Sequence, residues 1–155
     1  MNFFTARLKK PAQCLIIIVS AIFCISCIVW LVHFPGIRRV YMFESSDNGK
    51  ICMESRFLPL RPVQGRVNMY VDELLLGPET SRYRPLFSPG TKALSCFRRG
   101  GTLYVDLSDT LLTESGGASE IKKGIKLFRK NILHNFENIR TVEVFVGGRL
   151  AYEDN

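Results

Sequence analysis

Residues Leu15 to Val32 read LIIIVSAIFCISCIVWLV, eighteen positions in a row without a charge or a proline. His33 and Phe34 extend the uncharged run to twenty. At about 1.5 Å per residue, a helix of that length spans roughly 30 Å, the thickness of a bilayer's hydrocarbon core. A helix is also the one single-segment structure that satisfies its own backbone groups there, so the run is expected to be a transmembrane helix. Arg7, Lys9 and Lys10 precede it, Arg38 and Arg39 follow it, and Trp30 and His33 lie near its end, where amphipathic rings suit an interface. The charges on the two sides nearly balance. The short basic leader and the long following domain both favour an N-terminus on the inside.

Three fates of this segment compete. A cleaved signal peptide has a shorter apolar core and a small-x-small site, and this run offers neither. A lipoprotein would use Cys27, but Cys24-Ile25-Ser26 is a poor lipobox, and the residues after Cys27 are apolar where a polar tether belongs. An uncleaved signal anchor fits best. The expected organisation is a cytoplasmic leader and anchor over 1–34, a linker with the first strand and turn over 35–49, and a folded domain over 50–155. The expected location is a bacterial inner membrane, crossed once at about Leu15 to Phe34, with the soluble domain on the extracytoplasmic side.

The 121 residues after Phe34 carry 18 basic and 14 acidic side chains. That is one small domain of mild positive charge, too short for a multidomain enzyme. Its hydrophobic periodicity changes along the chain. Val40 to Phe43 is a short β-prone run, Asn48-Gly49 is a strong hairpin signal, and Ile51 to Leu58 is the return strand. In that strand Ile51, Met53, Ser55 and Phe57 share one face and Cys52, Glu54, Arg56 and Leu58 the other. The imperfect alternation suits a strand partly covered on both sides. Val67, Tyr70, Val71, Leu74 and Leu75 then form a helical stripe, ended by Gly77-Pro78, which predicts a helix over about Val63 to Leu76. A loop over Pro78–Thr91 leads to strands at Lys92–Arg98 and Thr102–Leu107, joined at Gly100-Gly101. Ile121, Ile125, Phe128, Ile132 and Phe136 make a second stripe, predicting a helix over about Ala118 to Phe136. Thr141 to Val146 is the last strand, followed by Gly147-Gly148 and a polar tail. The fold class read from this order is α+β: a transmembrane helix, then a β-β-α-β-β-α-β domain with one sheet and both helices on one of its faces.

Candidates for chemistry are few. His134 sits on the second helical stripe's segment with no nucleophile and acidic orienter beside it in sequence, and reads as a surface histidine. Asp72 and Glu73 are adjacent on a helix and point about 100° apart, so they do not converge on a substrate. Asp106, Ser108 and Asp109 cluster at a strand end, where short polar side chains bond turn backbone. Gly116-Gly117 and Gly147-Gly148 lack the strand–glycine–helix spacing of a phosphate loop. Cys14, Cys24 and Cys27 lie in or beside the anchor. Cys52 and Cys96 belong to the domain, where burial competes with pairing in an oxidising compartment. No metal-ligand spacing occurs. The expectation is a non-enzymatic chain without cofactor, metal, nucleic acid or small-molecule substrate. Lys122, Lys123, Lys126, Arg129 and Lys130 lie mainly opposite the second stripe, as a solvated face or a surface for an acidic partner or anionic lipid.

Three segments together carry a family resemblance. They are Arg56 with Tyr70-Val-Asp-Glu-Leu-Leu-Leu-Gly-Pro78, then Leu86-Phe-Ser-Pro-Gly-Thr91, then Gly101-Thr-Leu-Tyr-Val-Asp-Leu-Ser108. This pattern resembles the GerMN domain of the GerM sporulation and spore-germination family, over about Ile51 to Gly148. Gly77, Pro78, Pro89, Gly90, Thr91, Asp106 and Ser108 fall on family-motif positions. The resemblance implies a membrane-tethered extracytoplasmic α+β domain similar to ring-building assembly modules, with no catalytic residues to carry over. The expected function is a protein-interaction or assembly module with protein partners or self-association. Its contact surface is expected at exposed strand edges, at Arg82-Tyr83-Arg84, or at Lys122, Lys126 and Arg129. The alternative is a module binding cell-wall glycan or anionic lipid, with Tyr83 and Phe87 stacking on the ligand.

Overall fold

In the computed structural model, which describes residues 10–32, 36–112 and 118–151, the chain divides into two units, Met1–Pro35 and Gly36–Asn155. The first holds a 23-residue helix, α1 (Lys10–Val32). Its Pro11–Leu31 stretch has a mean hydropathy of 2.9 and none of it is buried against protein, so its length and composition suffice to cross a membrane.

The second unit runs β1 (Ile37–Ser45), β2 (Ile51–Leu58), α2 (Arg66–Leu76), β3 (Tyr83–Arg84), β4 (Ala93–Arg99), β5 (Thr102–Leu107), a 3-10 turn (Asp109–Leu112), α3 (Ala118–Asn135), β6 (Thr141–Val146) and β7 (Arg149–Leu150). The α+β class and the order of the major elements match the sequence reading. The single sheet does not. The strands form two sheets, ordered β2-β1-β3 and β4-β5-β6-β7. The second is mixed: β5 and β6 are parallel with α3 as the crossover, and the other pairs are antiparallel. The strand expected in the 35–49 segment is the middle strand of the first sheet, paired with β2 from Ile37–Leu58 to Glu44–Ile51.

The sheets separate because a helix takes the place of a strand along β1. On its second edge β1 pairs with β3 only at Glu44 and Ser45. Beyond that, two asparagines of α3, one turn apart, supply the missing partners. Asn131 Oδ1 accepts from the Met42 N–H at 2.7 Å, and its Nδ2 donates to the Met42 carbonyl at 2.9 Å. Asn135 repeats the arrangement on Val40, at 3.0 and 2.7 Å. Buried backbone groups must find partners somewhere. Here side-chain amides provide them, and no further strand can join.

Tyr70, Val71 and Leu74 of α2, the α3 stripe, and Leu103, Val105, Leu107, Val142 and Val144 of the second sheet pack into one core with Tyr41 and Phe43 of β1. Helix α2 starts later than expected, because Gly65 at φ 88 ends a turn in which its N–H bonds the Pro62 carbonyl at 3.0 Å. Val63 stands outside the helix and fully exposed.

Candidate functional site

The residues that sequence spacing marked as a motif turn out to hold backbone in place. Arg56, on β2, is only 8% exposed. Its Nη2 donates to the Gly77 carbonyl at 2.7 Å and its Nη1 to the Glu73 carbonyl at 3.3 Å, satisfying the orphan carbonyls at the end of α2. Its Nε donates to Glu54 Oε1 at 2.6 Å, with Glu79 and Glu73 carboxylates at 3.4 Å. The guanidinium lies 4.7 Å from the Tyr41 ring centroid. Gly77 has φ 91, and a Cβ there would meet Pro85 at 3.3 Å, so a side chain would be strained twice over. Ser88-Pro89-Gly90-Thr91 is a tight turn: Gly90 takes φ 88, and Thr91 Oγ1 donates to the Ser88 carbonyl at 2.7 Å. Asp106 Oδ1 accepts from the Gly148 N–H at 3.0 Å, and Ser108 Oγ from the Lys92 N–H at 3.0 Å. Arg56, Glu73 and Glu79 also border an open crevice with Ser55 and Met69, where the guanidinium is already held by carboxylates and backbone carbonyls.

Arg82-Tyr83-Arg84, expected in a loop, is partly strand. Tyr83 and Arg84 pair with Ser45 and Glu44, and the Arg82 carbonyl accepts from the Ser46 N–H at 2.9 Å. Arg82 and Arg84 are exposed and Tyr83 is half-buried against the core. Phe87 is 7% exposed and packs on Phe128 at 5.8 Å between ring centroids, so it offers no open stacking face, contrary to expectation. It is held there by Gly124, where a Cβ would stand 2.5 Å from the Leu86 carbonyl oxygen.

The same segment and α3 enclose a cleft of about 320 Å³, lined by Glu44, Arg84, Phe87, Glu120, Lys123 and Leu127 among others. Lys123, which closes one side, pairs with Glu44 at 2.7 Å. Lys122 and Lys126 are exposed and Arg129 half-buried on α3, and none of the three lines this cleft. The structure therefore brings Arg84 to α3 through Lys123 and Glu44, not through the three basic residues singled out from the sequence.

Among the described residues no cluster of three His, Cys, Asp or Glu could hold a metal ion. His134 is exposed on α3. Cys52 and Cys96 are free, half-buried thiols on strands of different sheets. Burial, with the charge of Asp72 adding, pushes the Cys96 thiol up to about 11, so at neutral pH it is protonated and a poor nucleophile. Sequence reasoning missed Asn131 and Asn135. Their i, i+4 spacing on a helix was the available signal, but nothing local says that a strand edge lies opposite.

The Germane family, described as sporulation and spore germination, matches residues 31–151. This chain belongs to that family. An uncharacterized lipoprotein of Treponema pallidum (strain Nichols) is 32% identical over 107 residues, which is 69% of this chain and 80% of the relative. Among solved structures, the first GerMN domain of the sporulation protein GerM from Bacillus subtilis is similar with a TM-score of 0.57 at 16% identity, covering 74% of this chain and 85% of that domain. The tandem GerMN domains of the same protein give 0.58 at 17% identity, and the Germane chain spans 40% of that longer structure. At such identities the likeness concerns the fold, and it agrees with the α+β architecture described above.

Proposed function

We propose that this Germane chain is a non-enzymatic, membrane-anchored, extracytoplasmic module that works through protein–protein contact. One observation carries the reading. The polar residues of the family motif are spent on backbone hydrogen bonds inside the fold, while β2 borders the first sheet with a free edge and turns Ile51 and Met53, 51% and 64% exposed, to solvent. An edge strand with apolar side chains on its open face is a template for pairing with another chain. The anchor supports the same reading, because confinement to a surface raises effective concentration and makes weak contacts count. The relative described as a lipoprotein also supports a tethered domain.

Crosslinking of the full chain in native membranes is the test. Adducts are expected, and Met53→Lys, which places a charge on the edge strand, is expected to deplete them. A chain that remains monomeric and partner-free removes the assembly claim. Protease accessibility in intact spheroplasts checks the topology: digestion of the Gly36–Asn155 unit is expected without lysis.

A further inference from the structure

The surface around the start of β1 combines exposed apolar side chains with arginines, and it is the part of the folded unit that follows the anchor most directly. Only three residues separate α1 from Gly36. A polypeptide reaches at most about 3.6 Å per residue. Covalent connectivity alone therefore keeps the start of β1 near the point where the helix leaves a bilayer, whatever the domain's orientation.

Several elements converge there. Gly36 abuts Leu58 and Pro59, close enough that a Cβ would strike the Leu58 carbonyl. Arg38 stands opposite Phe57 in the β1–β2 register. The Pro59–Gly65 segment folds back so that Pro59, Pro62 and Arg66 line a crevice with Ile37 and Arg39. At this end of the folded unit Phe57, on the face of β2 opposite Leu58 and the crevice, is 56% exposed, Leu60 47% and Val63 107%. Arg38, Arg61 and Arg66 are exposed beside them. Neither Gly36–Val40 nor Pro59–Met69 contains an acidic residue. The carboxylates around this surface are engaged: Asp72 accepts a hydrogen bond from Gln64 Nε2 at 2.8 Å, and Glu54, Glu73 and Glu79 surround Arg56. A fully exposed valine at the tip of a turn, flanked by arginines, is costly in water and suited to a headgroup layer.

We propose that this surface, Arg38, Phe57, Leu60, Arg61, Val63 and Arg66, docks onto the anionic phospholipid headgroups of the bilayer that holds the anchor. Leu60 and Val63 enter the interface while the arginines pair with lipid phosphates. Docking fixes the orientation of the domain on the membrane and leaves the Ile51–Met53 end of β2 open to partners. This inference rests on the anchored reading given above.

The test uses the full chain in vesicles with brominated lipid. The sequence has one tryptophan, Trp30. Trp30→Phe with Val63→Trp therefore places the only reporter indole on the proposed surface. Trp30→Phe with Leu94→Trp, which moves the indole to β4, is the comparison. With phosphatidylglycerol present, emission of the Val63→Trp chain is expected to shift to the blue and to be quenched, while the indole of the Leu94→Trp chain stays in water. In pure phosphatidylcholine, or at high salt, the blue shift and quenching of the Val63→Trp chain are expected to be lost. Each arginine beside an anionic surface strengthens contact about fivefold, so Arg38→Gln, Arg61→Gln and Arg66→Gln together should weaken it about 100-fold. The salt arm reads the same effect without altering the fold. A Val63→Trp chain that floats with the vesicles yet stays unquenched overturns the inference alone. So does quenching that is equal in neutral lipid, or equal in the Leu94→Trp chain. A chain that does not float overturns the anchored reading as well.

Discussion

Two buried polar networks flank β1, and they solve the same problem differently. Arg56 joins β2 to the end of α2 with a charge, set among the carboxylates of Glu54, Glu73 and Glu79. Asn131 and Asn135 join α3 to the edge of β1 with neutral amides. The aromatic stack between them touches both: the Arg56 guanidinium lies over Tyr41, Tyr41 stacks on Tyr70 at 4.6 Å, and the Tyr70 hydroxyl donates to Val40's carbonyl at 2.9 Å beside Asn131. A buried charge must keep its counter-charges, whereas an amide needs only matched donors and acceptors. The Arg56 side should therefore fail hard when one member is lost. The asparagine side should fail by the number of backbone groups left orphaned.

The largest expected effect is on the charged side. Arg56→Met leaves Glu54 half-buried without its cationic partner and the Gly77 carbonyl unsatisfied, which should cost about 3–5 kcal/mol in denaturant unfolding. In a Glu54→Gln background the loss should shrink, with a coupling of about 0.5–3 kcal/mol. Additive losses would mean that the ion pair does not define this network. Asn131→Ala comes next. It orphans the N–H and C=O of Met42, at about 1–3 kcal/mol per buried group, and a total of about 2–4 kcal/mol is expected. A loss below about 1 kcal/mol would show that β1 finds another partner.

Alkali should probe both networks through their shared aromatics. Burial raises the pKa of Tyr41 and of Tyr70, and pushes the Cys96 thiol up to about 11. In each case the folded state favours the neutral form. The stability this provides is complete below the unfolded pKa and is lost as pH rises towards the folded one. Unfolding free energy should thus fall above about pH 9, by at most ~1.4 kcal/mol per pH unit for each group. A profile that stays flat to about pH 11 would contradict their burial. The smallest effect belongs to Tyr41→Phe. Among the described residues the buried Tyr41 hydroxyl has no hydrogen-bond partner, so its removal should leave stability within about 0.5 kcal/mol or raise it. A loss above about 1 kcal/mol would show that the hydroxyl is bonded and ties Tyr41 into one of the networks.

Much of the fold was legible because it follows from local rules. The stripes at Tyr70, Val71 and Leu74 and at Ile121, Ile125, Phe128 and Ile132 are periodicities that a helix must bury, and they are the buried residues of α2 and α3. Thr102–Leu107 alternates, and its Leu103, Val105 and Leu107 lie in the core. The short strands β3 and β7 were missed, since two residues carry no period. The candidate surface was less legible. Arg82-Tyr83-Arg84 reads as an open basic loop, but pairing with β1 makes it a sheet edge. Phe87 reads as a free aromatic, but Gly124 gives it room to lie against α3.

The chain by itself determined the apolar helix, the order of elements, the turns and the family pattern, because each depends on residues near one another in sequence. Only the tertiary structure decided which face of β2 is inside. Ile51, Met53 and Phe57 are the more apolar set, yet they face solvent, and Cys52, Glu54, Arg56 and Leu58 face inward. It also decided that the strands part into two sheets. Both outcomes rest on partners far away in sequence: the α2 carbonyls that bond Arg56 and the α3 amides that bond β1. A buried polar group is stable only where such partners converge, and that convergence is a property of the folded whole.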